Sequence, residues 1–200
     1  MKRRAYSAGA VKVSFWFIEF RKTVQLLADG YSWEEIRQMS EQNNIFNAST
    51  PMRAKQIYSS VSARIKALDD SVISVFLNSD ITMQKILVLT AILAYDTLFF
   101  DFVYEVLREK MIIGDNEYTN RDWRVFCAEK QRQDKRASTW TEQTLIRLGR
   151  AYKTMLYEAG IISSGKDIRH IYRTILDPSV EQWMLLHGLK PVVKALTGVK

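Results

Sequence analysis

Apolar residues recur at helical spacing along most of the chain, and the breaks between the runs carry helix start and stop residues. Residues 14–28 place Phe15, Ile18, Val24 and Leu27 on one side and end at Asp29-Gly30, where glycine can take the left-handed backbone that closes a helix. Ser32 and Glu35 then form a capping-box pattern that opens a second helix, running to about residue 41. After the polar break NNIFNAS, Thr50 supplies a cap and Pro51 the first helical position of a third helix, reaching about Leu68. Asp69-Asp70 opens a fourth through Val72, Val75, Phe76 and Leu77. Residues 81–113 form a long apolar segment, with turns predicted near residues 95–97 and at Gly114-Asp115-Asn116.

The C-terminal third repeats this grammar. Thr119 with Asp122, and Thr139 with Glu142, match the [ST]-x-x-[DE] start pattern and predict helices over residues 121–132 and 141–159, the second stopped by Gly160. The stretch GIISSGKDIRHIYRTILDP reads as a short hairpin turning at residues 163–166, or as a helix carrying Ile168, Ile171, Tyr172 and Ile175 on one face. Asp177-Pro178 starts a helix to about residue 187, and Pro191 a last one to about residue 196. The predicted class is all-α (mainly α), a multi-helix bundle with one small hairpin near the C-terminus. Three segments organise it, as one unit or as closely packed lobes: a basic helical lobe (1–80), acidic apolar core helices (81–118) and a second basic lobe (119–200).

Composition narrows the class of function. Only 3 prolines and 8 glycines stand among 200 residues that are 47% apolar and 26% charged, as expected of a folded helical chain. One cysteine and two histidines cannot build a structural zinc site or a disulfide framework, which suits a reducing cytoplasm. The start MKRRAYSAGAVKVSFWF lacks the apolar stretch of a signal peptide. The run ILVLTAILAY falls short of the roughly 20 residues a membrane span needs, so it predicts a buried core helix and no membrane partner. Charge is segregated: residues 1–68 carry 11 basic and 5 acidic side chains, residues 69–119 carry 3 and 9, and residues 120–200 carry 15 and 8. Two basic blocks around an acidic apolar middle form the footprint of a polyanion-binding protein.

Catalytic motifs are missing or incomplete. GIISSGK at residues 160–166 copies the start of a phosphate-binding loop, but Asp167 stands where the loop needs Ser or Thr for magnesium, and a helix precedes it. Asp96 and Asp101 point to different helix sides, and Glu105 and Glu109 read as surface partners of Arg108 and Lys110. Cys127, flanked by Val125, Phe126 and Ala128, reads as a small core residue. The expectation is therefore no catalysis, no cofactor, no metal and no small-molecule substrate.

What remains is basic helix faces. Ile57, Tyr58, Val61, Ile65 and Leu68 form the inner face of the third helix and leave Arg53, Lys55 and Lys66 outside. The break before that helix is longer than an ordinary helix-turn-helix turn, so packing is its first task and these cations are supporting phosphate contacts. In residues 141–159, Leu145, Leu148, Tyr152, Met155 and Leu156 face inward, and Arg147, Arg150 and Thr154 form an outer stripe. The run KQRQDKR offers Lys130, Arg132, Lys135 and Arg136, and the hairpin offers Lys166, Arg169 and Arg173. With residues 141–159 as a recognition helix and the hairpin as its wing, the arrangement is a winged helix-turn-helix that touches duplex DNA.

Several stretches carry a family resemblance: YSAG at residues 6–9, FxxxEFRKTVQLLADG from Phe15, DTLFFDFVYEVLREK from Asp96, DWRVFCAEK from Asp122 and WTEQTLIRLGRAYKTMLYEAG from Trp140. In these the chain resembles the BrxA family, the A component of bacteriophage exclusion (BREX) defence systems. The resemblance implies an all-helical fold similar to NusB-type antitermination factors, a cytoplasmic setting, other BREX proteins as partners and a non-catalytic, DNA-binding role in phage defence. It supplies no catalytic residues. The NusB-like fold keeps RNA open as the polyanion, and an interaction scaffold docked through the acidic middle is a further alternative.

Overall fold

The computed structural model describes residues 3–199. An extended strap with a short 3-10 turn at Gly9–Lys12 leads into α1 (Phe17–Ala28). There follow α2 (Trp33–Gln42), α3 (Pro51–Ile65), α4 (Val72–Leu77), α5 (Ile81–Tyr95) and α6 (Thr97–Ile113). Strand β1 (Glu117–Thr119) precedes α7 (Asn120–Gln133) and α8 (Glu142–Glu158); β2 (Ile168–His170), α9 (Pro178–Leu186) and α10 (Lys190–Thr197) complete the chain. Most start signals act as the sequence predicts. Ser32 and Glu35 close a reciprocal capping box, as do Thr119 and Asp122, and the Thr50 hydroxyl accepts from the Arg53 amide. The Thr139 signal is overridden: Thr139 lies in a 3-10 turn, and Thr141 caps α8 by accepting from the Thr144 amide at 3.2 Å.

Helix α5 is the centre of the molecule, with Leu87, Val88, Leu89, Ala91 and Leu93 all sealed from solvent. Among the described residues no single helix is long and apolar enough to cross a membrane, and α5 and α6 meet at 110°. The bend falls at Asp96, whose carboxylate caps α6 through the Phe99 amide (3.1 Å) and accepts from the Tyr152 hydroxyl (2.9 Å). Helix α6 contains a π turn at Val103–Leu107, against which α10 packs. Buried residues from all three predicted segments join one contiguous core. An aromatic cluster, in which Phe102 meets Tyr118, Trp123 and Phe126 while Phe99 stacks on Tyr152, binds the C-terminal elements to α6.

The predicted hairpin is present but carries an extra strand. Ile162 bridges Ile171 antiparallel, and β2 also pairs antiparallel with β1, setting Tyr118 opposite Arg169. The returning strand therefore lies between the outgoing one and β1. Gly165 is required at the turn, because a Cβ there would come within 2.2 Å of the Ile168 carbonyl oxygen. The acidic residues of the middle segment act as anchors. Asp101, 3% exposed, accepts from Arg3 at 2.9 and 2.7 Å and from Tyr6 at 2.7 Å, fixing the strap over the bend. Glu105 pairs with Lys130 at 2.7 Å, and Lys110 with Asp115 and Asp122; of the predicted partners only Glu109 and Arg108 meet, and Arg108 is buried rather than on the surface.

Candidate nucleic-acid interface

Helix α8 exists because its apolar positions recur with helical spacing, and its placement follows from one glycine. Gly149 sits against the indole of Trp123 on α7; a Cβ there would lie 2.6 Å from Trp123 Nε1, which donates to the Leu145 carbonyl at 3.0 Å. This close crossing buries Leu148, Tyr152, Met155 and Leu156, and leaves Arg147, Arg150 and Thr154 exposed on the opposite side. The stripe is the floor of a trough. On one side, strap residues Val11, Val13 and Ser14 form a groove with Arg147, Arg150 and Thr154. On the other, the hairpin residues Ser163, Ser164, Gly165 and Arg169 form a second groove with Arg150, Lys153, Thr154 and Tyr157.

Lys153 is the residue that sequence reasoning missed. It donates to the Asn120 side chain at 3.0 Å, and its ammonium is held below the usual lysine range, first by burial and then by Arg169 and Arg150. Like charges crowded into one recess, opposed by Asp167, create a field that favours an anion. No periodicity signal separates Lys153 from other helix lysines; only the folded hairpin brings Arg169 beside it.

The structure sorts the other predicted cations. Arg147, Arg150 and Lys166 are exposed at the trough and its rim; Arg132 is exposed in the last turn of α7, and Lys135 and Arg136 just beyond it. Lys55 is exposed on α3, and Lys66 lies 4.5 Å over the Trp33 ring. Arg53 is tied down: it donates to the Lys12 carbonyl and the Gln56 side chain, and lies over Trp16. Two placements correct the expectation. Lys130, read as part of a run too polar to bury, is 6% exposed because Glu105 neutralises it and its ammonium lies 5.2 Å over the Phe126 ring. Arg169, expected on an open arm, is 9% exposed beneath the hairpin, 6.0 Å over the Tyr118 ring, with Nη2 on the Lys166 carbonyl and Nη1 unpartnered among the described residues. Arg173 is exposed, but its guanidinium donates to the Met111 carbonyl.

Cys127 is buried and its thiol is pushed up to about 12 by desolvation, the behaviour of a core residue. The connection between α7 and α8 spans residues 134–141, longer than the three or four residues of a simple helix-turn-helix turn.

Comparison with known proteins agrees with this architecture. A solved structure, described as an uncharacterized protein from Magnetospirillum magneticum, shares the fold with a TM-score of 0.81 over 98% of this chain and all of its own, at 17% identity. The curated BREX protein BrxA of Bacillus cereus (strain H3081.97) is 34% identical over 180 residues, 90% of each chain. A second BREX protein BrxA, from Escherichia coli O9:H4 (strain HS), is 20% identical over 170 residues, 85% of this chain and 78% of its own. The BrxA family model matches residues 4–188. By that match and by the Bacillus relative, the chain belongs to the BrxA family.

Proposed function

We propose that this protein is a non-catalytic, double-stranded DNA-binding component of a BREX phage-defence system, acting in the cytoplasm and holding the duplex mainly through its phosphates. The observation that carries the reading is the trough of α8, where Arg147, Arg150 and Lys153 stand together between the strap and the hairpin. The order of elements supports it. A helix, a short strand, two helices and a hairpin whose second strand returns to that first strand follow one another from α6 to residue 172, the order of a winged helix. Because the stripe is flanked on both sides rather than protruding, it suits tracking a backbone better than reading base edges.

Charge reversal tests this. The double variant R147E/R150E is expected to lose at least tenfold in affinity for duplex DNA in electrophoretic mobility shifts at low salt, with an unchanged melting temperature. Lys130→Met, which removes a cation that is buried rather than exposed, is expected to leave DNA affinity unchanged. Equal losses in both variants would overturn the assignment of the trough. Stronger retention of structured RNA than of duplex DNA would favour the NusB-like, RNA-binding reading.

One surface favours a second role, as a docking platform for other BREX proteins. Ile113 and Val125 are 76% and 51% exposed beside Glu105, Glu109 and Glu129 in an acidic groove. If docking there is the main function, polar substitutions at Ile113 and Val125 abolish defence while R147E/R150E leaves it intact.

A further inference from the structure

On the inner side of the strap lies a cleft of about 350 Å³, closed by α3 and by the bend between α5 and α6. We propose that it is a binding site for a small oxyanion, a molecule carrying a phosphate or carboxylate group, with Arg64 as its principal counter-ion.

Arg64 lies on α3 among residues that pack inward, and is 3% exposed. Among the described residues its guanidinium makes one hydrogen bond, from Nη1 to the Phe15 carbonyl at 2.9 Å, and it lies 5.5 Å over the Trp16 ring. No carboxylate among the described residues comes within ion-pair distance of it. A guanidinium has five donors, and a buried charge is costly unless it is paired. The nearest acid, Asp96, contributes its field, but its two oxygens already accept from the Phe99 amide and the Tyr152 hydroxyl. Burial accordingly lowers the Arg64 guanidinium to about 10.

Asp96 also lines the cleft, with its two oxygens taken up by the Phe99 amide and the Tyr152 hydroxyl, and the other polar groups of the lining fit the same ligand. Ser7, Ser59 and Ser60 offer hydroxyls to the cleft, and Arg4, whose guanidinium lies 4.3 Å over the Tyr95 ring, stands at the rim as a second cation. Trp16, which holds the guanidiniums of both Arg53 and Arg64 against its ring, has a left-handed φ of 56°. That conformation is strained for a bulky residue, and it persists where the surroundings impose it. The volume is that of a small-molecule site, and the cleft is too enclosed for a duplex. The strap divides it from the basic trough, with Val13 lining both.

The test is calorimetric titration and thermal melting of the full chain with sodium phosphate and, separately, sodium acetate, each against sodium chloride at matched ionic strength. A saturable response to one of the two oxyanions is expected in the millimolar range, raising the melting midpoint by about 3–6 °C at tenfold excess over the dissociation constant. Which anion responds decides between a phosphate-bearing and a carboxylate-bearing ligand. Arg64→Met is expected to abolish the response. Should that variant fail to fold, Arg4→Ala and Ser60→Ala are expected to weaken the response several-fold without shifting the unliganded midpoint, while R147E/R150E leaves it unchanged. The proposal is overturned if neither anion gives a saturable response, if folded Arg64→Met responds like the parent, or if the response disappears with R147E/R150E, which would place the anion in the trough.

Discussion

Residues of one charge type do different work here according to what surrounds them. Lys130 and Lys153 are both lysines on amphipathic helices, yet one neutralises Glu105 with its ammonium over the Phe126 ring and the other shares a recess with two arginines. Sequence spacing identified the stripe of Arg147 and Arg150, because helical periodicity alone sets which side of α8 faces out. It missed Lys153, Arg64 and the burial of Arg169, because these depend on partners far away in the chain. Asp96 is a clear case: sequence reasoning found no role for it, and it proves to cap α6 at the central bend. Burial pushes its carboxyl up from 3.8 to about 6, against the amides of Phe99 and Leu98 and the Tyr152 hydroxyl, which pull it down. The folded protein therefore holds this proton more tightly than the unfolded chain. Its contribution to stability is complete below about pH 3.8 and is lost as pH rises through about 6. Asp96→Asn is expected to remove this loss, up to roughly 3 kcal/mol. Urea unfolding of both proteins at several pH values from 4 to 7 checks it: their stability difference must change across that window, and a constant difference would contradict the assignment.

At the scale of elements, local chemistry predicted existence and boundaries well. Capping boxes at Ser32 and Thr119, Pro51 after Thr50, and left-handed glycines at Gly30, Gly114 and Gly160 all act where the pattern places them. Strand β1 was invisible because three residues carry no periodicity, and its pairing with β2 joins positions some fifty residues apart in sequence. The π turn in α6 left no local mark either. Helix crossing is likewise a non-local matter, and Gly149 illustrates it. As a glycine within a helix it weakens α8 locally, but it permits the approach of Trp123 that sets the stripe's position. Gly149→Ala would improve helix propensity, yet it must displace the indole and its bond to Leu145. A net destabilisation of about 1–3 kcal/mol is expected in urea melts, accompanied by weaker duplex binding as α8 shifts. Unchanged stability would show that the crossing relaxes freely.

The whole molecule carries a formal net charge of +7, separated into basic ends and an acidic middle. Folding gives that separation a physical meaning. Several acids of the middle serve as anchors, with Asp101 holding the strap, Glu105 holding α7 and Asp115 holding Lys110. The exposed cations on α8 and the hairpin are opposed there by Asp167, and on the proposed reading their remaining field faces the DNA. Each phosphate engaged by such a surface releases condensed counterions, so affinity must fall steeply as salt rises. The central claim is tested most directly by the salt dependence of binding to one duplex, measured by fluorescence anisotropy. With about six to ten phosphates engaged, affinity is expected to fall by roughly three to five decades between about 50 and 200 mM salt; a flat dependence, or no binding at low salt, would contradict the account.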